Sequence, residues 1–412
     1  MKTKKLIVIY PYKFSDFLWK LLELEELSKY VEVIVWDVSK ISSPRFSSQI
    51  VGKLTPRDQI IRLESIVSFN SKLKNLLSEN NEEDICILNE IPQGNYRDFI
   101  LNAFLSFKLQ GKEVKVFDLY NGGVLIHSAG PVDEFGRKSI MQRFISVVKL
   151  SSSLKEFLRK FSSYTFNKLG EFFSKPLTHR LVAGEVWKSE AKRGVSQGVR
   201  IIEGHSHDYS TYLREVHSRN RSESIGLATL LDGAGPYFQS DALLTGRKVY
   251  FTSEVWYPAL SNFFEFLESD RQLTVRVAGH YKTNFDSPSL LFGNREVIYG
   301  RTPELVASSK FVITRISTAI SFAVLYKKPI IFIYSDQLLK DSEFMSQIIS
   351  ISNVLGTSPI NIDHFPTNLE SYLRVNEDKY KRYTLDFLTS KPNGVPNYRI
   401  ILQDIMGVKV AN

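Results

Sequence analysis

In three short segments of the sequence, an apolar run is followed directly by residues that could perform chemistry. In the first, residues 230–237, Asp232 is the first polar residue after the run, and Gly233 and Gly235 follow it. A carboxylate at the end of a buried strand can accept a proton from an attacking hydroxyl group, and a glycine beside it allows a ligand to approach the backbone closely. The alternative is an Asp-Gly turn without a chemical role.

The other two segments combine hydroxyl groups with basic side chains. Residues 275–282 and 313–318 each begin as an apolar strand pattern and end in a polar turn. Hydroxyls and free backbone N–H groups ahead of a helix bind anions well, and basic side chains add charge-assisted hydrogen bonds to a phosphate. Ordinary capping by Ser317 or Thr318 is the alternative. The candidate phosphate ligands are His280, Lys282, Arg315, Ser317 and Thr318.

A fourth polar cluster, residues 203–209, follows the strand pattern at 199–202. Such a cluster at a strand end is expected to face a groove between two domains, which is the usual place for a ligand. The alternative is a helix N-cap formed by Ser206 or Asp208, and both roles can hold together. The spacing supplies no third metal ligand, so we expect no metal. The residues assigned to the acceptor side of the groove are Glu203, His205, His207 and Asp208.

The elements that must position these residues alternate between strand and helix patterns in two series. Continuous β-branched runs separated by helical periodicity indicate parallel sheets covered on both faces. We therefore predict an α/β fold with two doubly wound, Rossmann-like domains facing a cleft, with ligands outside the carboxyl ends of the strands. The predicted bounds are 1–220 for the first domain, 221–390 for the second domain and 391–412 for a C-terminal helix that closes the fold.

Composition and missing motifs exclude several classes of protein. The 412 residues are 43% hydrophobic and 24% charged, which is typical of a globular protein. Cys86 is the only cysteine, so a disulfide framework and a cysteine-built metal site are excluded. The sequence has no Walker A, G-x-S-x-G or H-E-x-x-H motif, and no G-x-G-x-x-G after its first strand. No apolar run approaches the ~18 residues of a membrane span, so we expect a cytoplasmic protein.

Nearly all of the excess positive charge lies in one stretch. Residues 137–180 contain ten Lys and Arg against two Glu, a net charge of +8 in a chain of net charge +9. The apolar residues of this stretch recur at spacings of three and four, which predicts a basic amphipathic helical insertion that lies on an anionic bilayer. A helical hairpin with solvated lysines and a nucleic-acid face are the alternatives. The predicted membrane contacts are Arg137, Lys138, Arg143, Lys149, Lys155, Arg159 and Lys160.

The segment from Glu304 to Ile330 resembles the donor domain of GT-B glycosyltransferases that build bacterial surface polysaccharides. It has the order helix, strand, Ser/Thr turn, and a helix that ends in Lys-Lys-Pro. More narrowly, the sequence is similar to sialyltransferases and Kdo-type transferases that use CMP-activated sugars. Their acidic D/E-D/E-G motif is matched at Asp232 by one acid instead of two, and their Ser/Thr motif is matched at Ser317-Thr318. Their His-Pro motif is incomplete, because Tyr281 follows His280.

This resemblance implies a metal-independent GT-B glycosyltransferase that needs no cofactor besides its nucleotide-sugar donor. The domain 1–220 would bind the acceptor, and the domain 221–390 would bind the nucleotide-sugar donor. Asp232 would be the general base, and His280 would contact the phosphate of the CMP-sugar. The transferred sugar would be sialic-acid-like or Kdo-like, the acceptor a surface glycan or lipid-linked glycan, and the enzyme peripheral at the inner membrane. Nucleic acid is not an expected partner. The residues expected to bind the donor are Gly233, Gly279, Lys282, Arg315, Ser317 and Thr318.

Two other functional classes stay open at this stage. A UDP-sugar transferase, or a CDP-polyol phosphotransferase of the teichoic-acid type, would use the same fold and a similar C-terminal pattern. A glycan-binding or nucleotide-binding protein without catalytic activity is the third possibility, because the proline of the His-Pro motif is missing after His280.

Overall fold

The chain folds into two α/β units, each built on one parallel sheet. The first unit contains the described residues up to His207 and those from Gly394 onward, and the second runs from Asp208 to Asn393. The two doubly wound domains predicted from the sequence are confirmed. The computed structural model describes residues 4–44, 56–92, 96–120, 175–194, 198–216, 226–233, 235–236, 250–280, 288–392 and 394–410.

The sheet of the first unit has seven parallel strands in the order β3-β2-β1-β4-β5-β6-β7. The strand β1 is apolar from Leu6 to Ile9, since both faces of the sheet are covered: Leu6 and Val8 pack into one core cluster, and Ile7 and Ile9 pack into another. The strand order reverses between β1 and β4, which makes this the topological switch point of the sheet. The strands are β1 Lys5–Tyr10, β2 Glu32–Asp37, β3 Ile60–Arg62, β4 Ile85–Asn89, β5 Lys115–Tyr120, β6 His179–Ala183 and β7 Arg200–Gly204.

Local sequence explains where the helices of this unit begin and which face they bury. The helix Ile66–Glu79 follows Ser65, whose hydroxyl accepts the N–H of Ser68 in a capping box. Its buried residues, Phe69, Leu73 and Leu76, recur at helical spacing. The helices before residue 207 are α1 Asp16–Leu21, α2 Leu24–Leu27, α3 Ser39–Ser42, α4 Ile66–Glu79, α5 Tyr96–Leu109 and α6 Gly184–Gly194.

The sheet of the second unit has six parallel strands in the order β10-β9-β8-β11-β12-β13. Its first strand in the chain lies in the middle, and successive strands are added on one side and then on the other, so the switch point lies between β8 and β11. Leu230 and Leu231 of β8 pack into different core clusters, one on each face. The strands are β8 Leu227–Leu231, β9 Thr274–Gly279, β10 Val297–Tyr299, β11 Phe311–Thr314, β12 Ile330–Tyr334 and β13 Ile360–Asn361.

Seven helices of the described chain belong to the second unit. Tyr209, on the first of them, packs into the same core cluster as Leu231 and Ile320. The observed division of the chain therefore falls before this helix rather than at residue 220. The helices are α7 His207–Val216, α8 Ser253–Arg271, α9 Pro288–Leu291, α10 Thr302–Ser308, α11 Ile320–Leu325, α12 Ser342–Leu355 and α13 Glu377–Tyr383.

The C-terminal segment packs on the first unit, not on the second sheet that precedes it in the chain. Its helix α14, Asn397–Ile400, continues as a wider π-helical turn from Ile401 to Met406. Leu402 and Ile405 are fully buried in the core that contains Leu6 and Val8. The ammonium group of Lys115 donates a 2.8 Å hydrogen bond to the carbonyl of Ile405 and so caps this turn from β5.

Candidate functional site

The second sheet brings the three predicted segments together at one edge. β8 lies between β9 and β11, and Leu231 pairs with Ala278 on one side and with Thr314 on the other. The backbone N–H of Asp232 donates a 3.1 Å hydrogen bond to the carbonyl of Ala278. Asp232, His280 and Arg315 therefore follow three adjacent strands at their carboxyl ends, where parallel α/β sheets bind ligands.

Three glycines allow close packing around this edge. A Cβ atom at Gly233 would lie 3.1 Å from the carbonyl oxygen of Ile316, and one at Gly235 would lie 2.7 Å from the guanidinium of Arg315. At the end of β9, a Cβ at Gly279 would lie 2.5 Å from the ring of Tyr299. The loop after β8 consequently runs tightly against the turn after β11. In the sequence these glycines indicated access for a ligand, but in the fold they also fit the protein's own side chains.

The hydroxyl of Ser317 caps the turn that precedes α11, whose own N-cap residue is Ala319 and has no side-chain cap hydrogen bond. The hydroxyl of Ser317 accepts the N–H of Ala319 at 3.2 Å, and the hydroxyl of Ser321 donates to the carbonyl of Thr318 at 3.0 Å. A serine hydroxyl that accepts one hydrogen bond still has its own proton to donate. Capping and phosphate binding by Ser317 are thus compatible, and the side chain of Thr318 is exposed.

Arg315 contacts aromatic rings, an environment that its sequence neighbours did not indicate. Its guanidinium carbon lies 4.5 Å from the ring centre of Phe251, 5.2 Å from that of Phe344 and 5.9 Å from that of Trp256. These rings come from two segments of the second unit, residues 251–256 around the start of α8 and the first turn of α12. Stacking of a planar guanidinium on aromatic faces is favourable and restricts the orientation of the side chain.

The predicted acceptor cluster is divided between the two units. His205 is 1% exposed, and its backbone N–H and C=O both bond to the side-chain amide of Asn397, at 2.9 and 2.8 Å. Glu203 forms a 3.1 Å ion pair with Lys188. These contacts belong to the first unit, whereas Asp208 belongs to the second.

Asp208 is hydrogen-bonded to the helix that follows the Ser/Thr turn. It lies in the first turn of α7, and its carboxyl group forms a hydrogen bond with Ser321 on α11. Burial raises the pKa of Asp208 to about 7, and the Ser321 hydroxyl partly opposes this rise. His207, the residue before it, is half-buried at the start of the same helix. Lys282 and the seven predicted membrane contacts between Arg137 and Lys160 lie outside the described residues.

The carboxyl ends of the strands in the first sheet carry a second group of polar residues, which the sequence patterns did not lead us to predict. Glu90 follows β4 at the switch point: its N–H donates to the carbonyl of Ile9 at 3.0 Å, and its carboxylate accepts the N–H of Leu119 at 3.1 Å. Burial raises the pKa of Glu90 to about 7, against the opposing charge of Lys175. The rule that identified Asp232 would have indicated Asn89, the first polar residue after the apolar run Ile85–Leu88, and Glu90 is the residue that follows it.

A buried ion pair joins the neighbouring strands β5 and β6 of the first sheet. The guanidinium of Arg180 on β6 donates two hydrogen bonds, of 2.9 and 2.7 Å, to the carboxylate of Asp118 on β5. It also lies over the ring of Tyr120, 4.5 Å from its centre, and the ammonium of Lys175 is 3.7 Å from Asp118. Two cations of the basic stretch 137–180 are therefore paired within the sheet.

Within the described ranges, no three His, Cys, Asp or Glu side chains come together as the ligands of a metal ion do. None of the helices in the same ranges combines the length and apolar composition that crossing a bilayer requires.

Comparison with known proteins shows similarity at the level of fold. No protein-family model matches the sequence, and no curated protein is similar to it. The structure of the wall teichoic acid polymerase TagF is similar with a TM-score of 0.53 and 13% identity, over 99% of this chain and 89% of that chain. A variant of TagF with CDPG gives a TM-score of 0.51 and 13% identity, over 99% and 88%. The UDP co-structure of MnaA from S. aureus has a TM-score of 0.46 and 11% identity, over 97% and 96%, too low to support an argument.

A sequence identity of 13% indicates a shared fold, and it does not indicate a shared activity. Each unit has the doubly wound strand order of a Rossmann-like domain, and the similarity to TagF extends over almost the whole chain. The fold predicted from the sequence is thereby confirmed: the chain has the two-domain, Rossmann-like GT-B fold.

Proposed function

We propose that the chain is a GT-B transferase of surface-polymer synthesis, which moves a sugar from a cytidine-nucleotide donor to a surface-glycan acceptor. One observation supports this proposal above all: Asp232, His280 and the Arg315–Thr318 turn meet at the switch point of the second sheet. The cytidine nucleotide has two independent supports. The sequence motifs resemble those of CMP-sugar transferases, and a solved structure of similar fold contains CDPG.

In the proposed reaction an acceptor hydroxyl attacks the anomeric carbon of the donor sugar. The bond between that carbon and the phosphate oxygen breaks, the hydroxyl proton passes to Asp232, and the nucleotide leaves with the electron pair. His280 hydrogen-bonds the departing phosphate and can protonate it. Gly233, Gly279, Ser317, Thr318 and Lys282 are the proposed donor contacts, with hydroxyl and backbone donors stabilising the developing charge. This scheme requires neither metal nor cofactor.

A thermal-shift screen with CMP, CDP, UDP, GDP and ADP, without added metal, tests the nucleotide class. A ligand at 100 times its Kd stabilises the folded protein by about 2.7 kcal/mol, which is readily visible as a higher Tm. We expect a shift with CMP or CDP that His280→Ala removes. His364→Ala is the matched control, because this histidine belongs to the same unit and its side chain is 74% exposed. A shift with UDP or GDP alone would change the donor class, and no shift with any nucleotide would contradict the proposal.

The second candidate is a polyol-phosphate transferase that uses a CDP-linked donor. The observation in its favour is the CDPG-containing structure, because the printed name of that protein is a teichoic acid polymerase. Release of the nucleotide from a CMP-sugar and from a CDP-polyol, measured side by side with excess acceptor, distinguishes the two. Turnover of the CDP-polyol alone would establish the second candidate in place of the first.

The proposed partner is an anionic membrane surface, where the enzyme would meet a lipid-linked acceptor on the cytoplasmic side. Besides the basic stretch 137–180, the helix α5 supports this proposal. It exposes Tyr96, Ile100 and Phe107 to 48%, 41% and 71%, on the side opposite its buried residues. The ammonium of Lys108 lies 5.9 Å from the centre of the Phe107 ring. Aromatic residues beside cations suit the interface of a bilayer.

Co-sedimentation with phosphatidylglycerol vesicles tests this partner. We expect binding at low salt that weakens at high salt, because exposed charges are screened. Phe107→Ser should reduce the bound fraction, whereas Val67→Ser, at a comparably exposed apolar residue on α4, should leave it unchanged. Absence of salt-sensitive binding would show that the basic stretch and α5 do not dock on membranes.

A further inference from the structure

The side chain of Arg315 contacts the loop that carries Asp232 on one side and aromatic rings on the other. Its guanidinium carbon is 4.5 Å from the ring centre of Phe251. Its terminal nitrogens lie 2.7 and 3.1 Å from the position that a Cβ of Gly235 would occupy. One of them is also 3.3 Å from the corresponding position at Gly233. The guanidinium therefore fills the space that side chains at both glycines would need.

From this packing we propose that Arg315 is a positioning residue, which fixes Asp232, Gly233 and Gly235 after the carboxyl end of β8 and thereby orients the Asp232 carboxylate. The structural part of this proposal, a fixed loop, is independent of what the protein does. Its catalytic part rests on the proposed function. The sequence instead predicted a donor contact for Arg315, and the two roles have different measurable consequences.

The choice of residue types supports the positioning role. A guanidinium is planar, so it can lie flat against an aromatic ring and present its edge to the backbone, whereas a lysine ammonium is a compact point charge. Phe251 and Trp256 are almost fully buried, and their rings meet edge to face at 5.5 Å. Phe344 lies in the first turn of α12, whose N-cap Asp341 accepts its N–H at 3.0 Å. The surface on which Arg315 rests is consequently held from several directions.

Substitution of Phe251 distinguishes the positioning role of Arg315 from the donor-contact role. Its ring contacts the guanidinium but offers no hydrogen bond to a phosphate, so Phe251→Leu disturbs the position of Arg315 without removing its charge. A positioning role predicts the same defect for Phe251→Leu and Arg315→Met. It further predicts little rescue by Arg315→Lys, which keeps the charge and loses the planar contact. A donor-contact role predicts a defect in Arg315→Met, partial rescue by Arg315→Lys and no defect in Phe251→Leu.

Hydrogen exchange measured by mass spectrometry tests the fixed loop without reference to activity. In Arg315→Met and in Phe251→Leu, we expect the amides of Asp232, Gly233 and Gly235 to exchange about tenfold faster than in the wild type. The strand β12 should keep its protection. Arg295→Met is the matched control, because this arginine also lies over a ring, Phe264 at 5.1 Å, but contacts neither glycine. Unchanged exchange in the loop of both variants would overturn the proposal.

Kinetics and nucleotide binding then test the catalytic part. We expect kcat to fall about 10- to 100-fold in Arg315→Met and Phe251→Leu, because a misplaced catalytic group loses its alignment, with the Kd of CMP or CDP unchanged. A weaker Kd in Arg315→Met and a normal kcat in Phe251→Leu would establish the donor-contact role instead. If the wild type binds no nucleotide and transfers nothing, the proposed function fails, while the exchange experiment still decides whether Arg315 fixes the loop.

Discussion

Asp232→Asn should lower the rate of transfer by about 10²- to 10⁴-fold, the usual contribution of a general acid or base. The substitution keeps the size and shape of the side chain but removes the group that accepts the acceptor's proton. Because the amide still fits the same loop, we expect the Tm and the nucleotide-induced thermal shift to stay at their wild-type values. The measurement is the initial rate of nucleotide release with excess acceptor, together with the thermal shift on the same sample.

Asp270→Asn is the matched control for this prediction. Asp270 is an exposed carboxylate near the end of α8, before β9, and thus at the opposite edge of the same sheet. We expect it to retain wild-type activity. If Asp232→Asn is as active as Asp270→Asn while the protein binds nucleotide normally, the proton is accepted elsewhere. Glu90→Gln would then be the next variant to measure, since Glu90 occupies the equivalent switch point of the first sheet.

The second large effect is expected on stability, from the ion pair in the first sheet. Asp118→Ala should lower the free energy of unfolding by about 3–5 kcal/mol, because it leaves buried cations without their counter-charge. The side chains of Asp118 and Arg180 are only 7% and 12% exposed, and Lys175 lies on the same carboxylate. Urea unfolding followed by circular dichroism provides the measurement.

An exposed ion pair and a double substitution provide the controls for this stability effect. Lys327 and Glu377 form a 2.9 Å pair with side chains 66% and 72% exposed, and Glu377→Ala should cost less than about 1 kcal/mol. Replacing both members of the buried pair, as in Asp118→Leu with Arg180→Met, should recover part of the loss, since Arg180 no longer contributes an unpaired charge and only Lys175 of the two cations loses its partner. Equal losses for Asp118→Ala and Glu377→Ala would show that the buried pair contributes no more than an exposed one.

Local patterns in the sequence were sufficient to predict the fold class and to place candidate residues at the carboxyl ends of strands in the second unit. An apolar run such as Leu227–Leu231 buries both faces of a parallel strand, so its composition alone identifies the strand. The first polar residue after such a run must lie at the carboxyl end, where ligands bind in these sheets. This rule identified Asp232, and the polar turns after two further strand patterns indicated His280 and Arg315, before their strands were known to be neighbours. Applied to the third strand pattern, the rule would have indicated Asn89, the residue before Glu90.

Only the tertiary structure decided which of these residues meet and what each one contacts. The order of strands depends on pairing between distant parts of the chain, such as β8 with β11, and no local periodicity encodes it. His205 and Asp208 are close in sequence, yet one is buried against Asn397 and the other bonds Ser321, because the chain passes between its two units at this point. Arg315 appeared to be a free cation in the sequence, since the rings and glycines around it come from segments far away along the chain. Contacts of that kind arise when distant surfaces pack together, so they are determined by the folded chain as a whole.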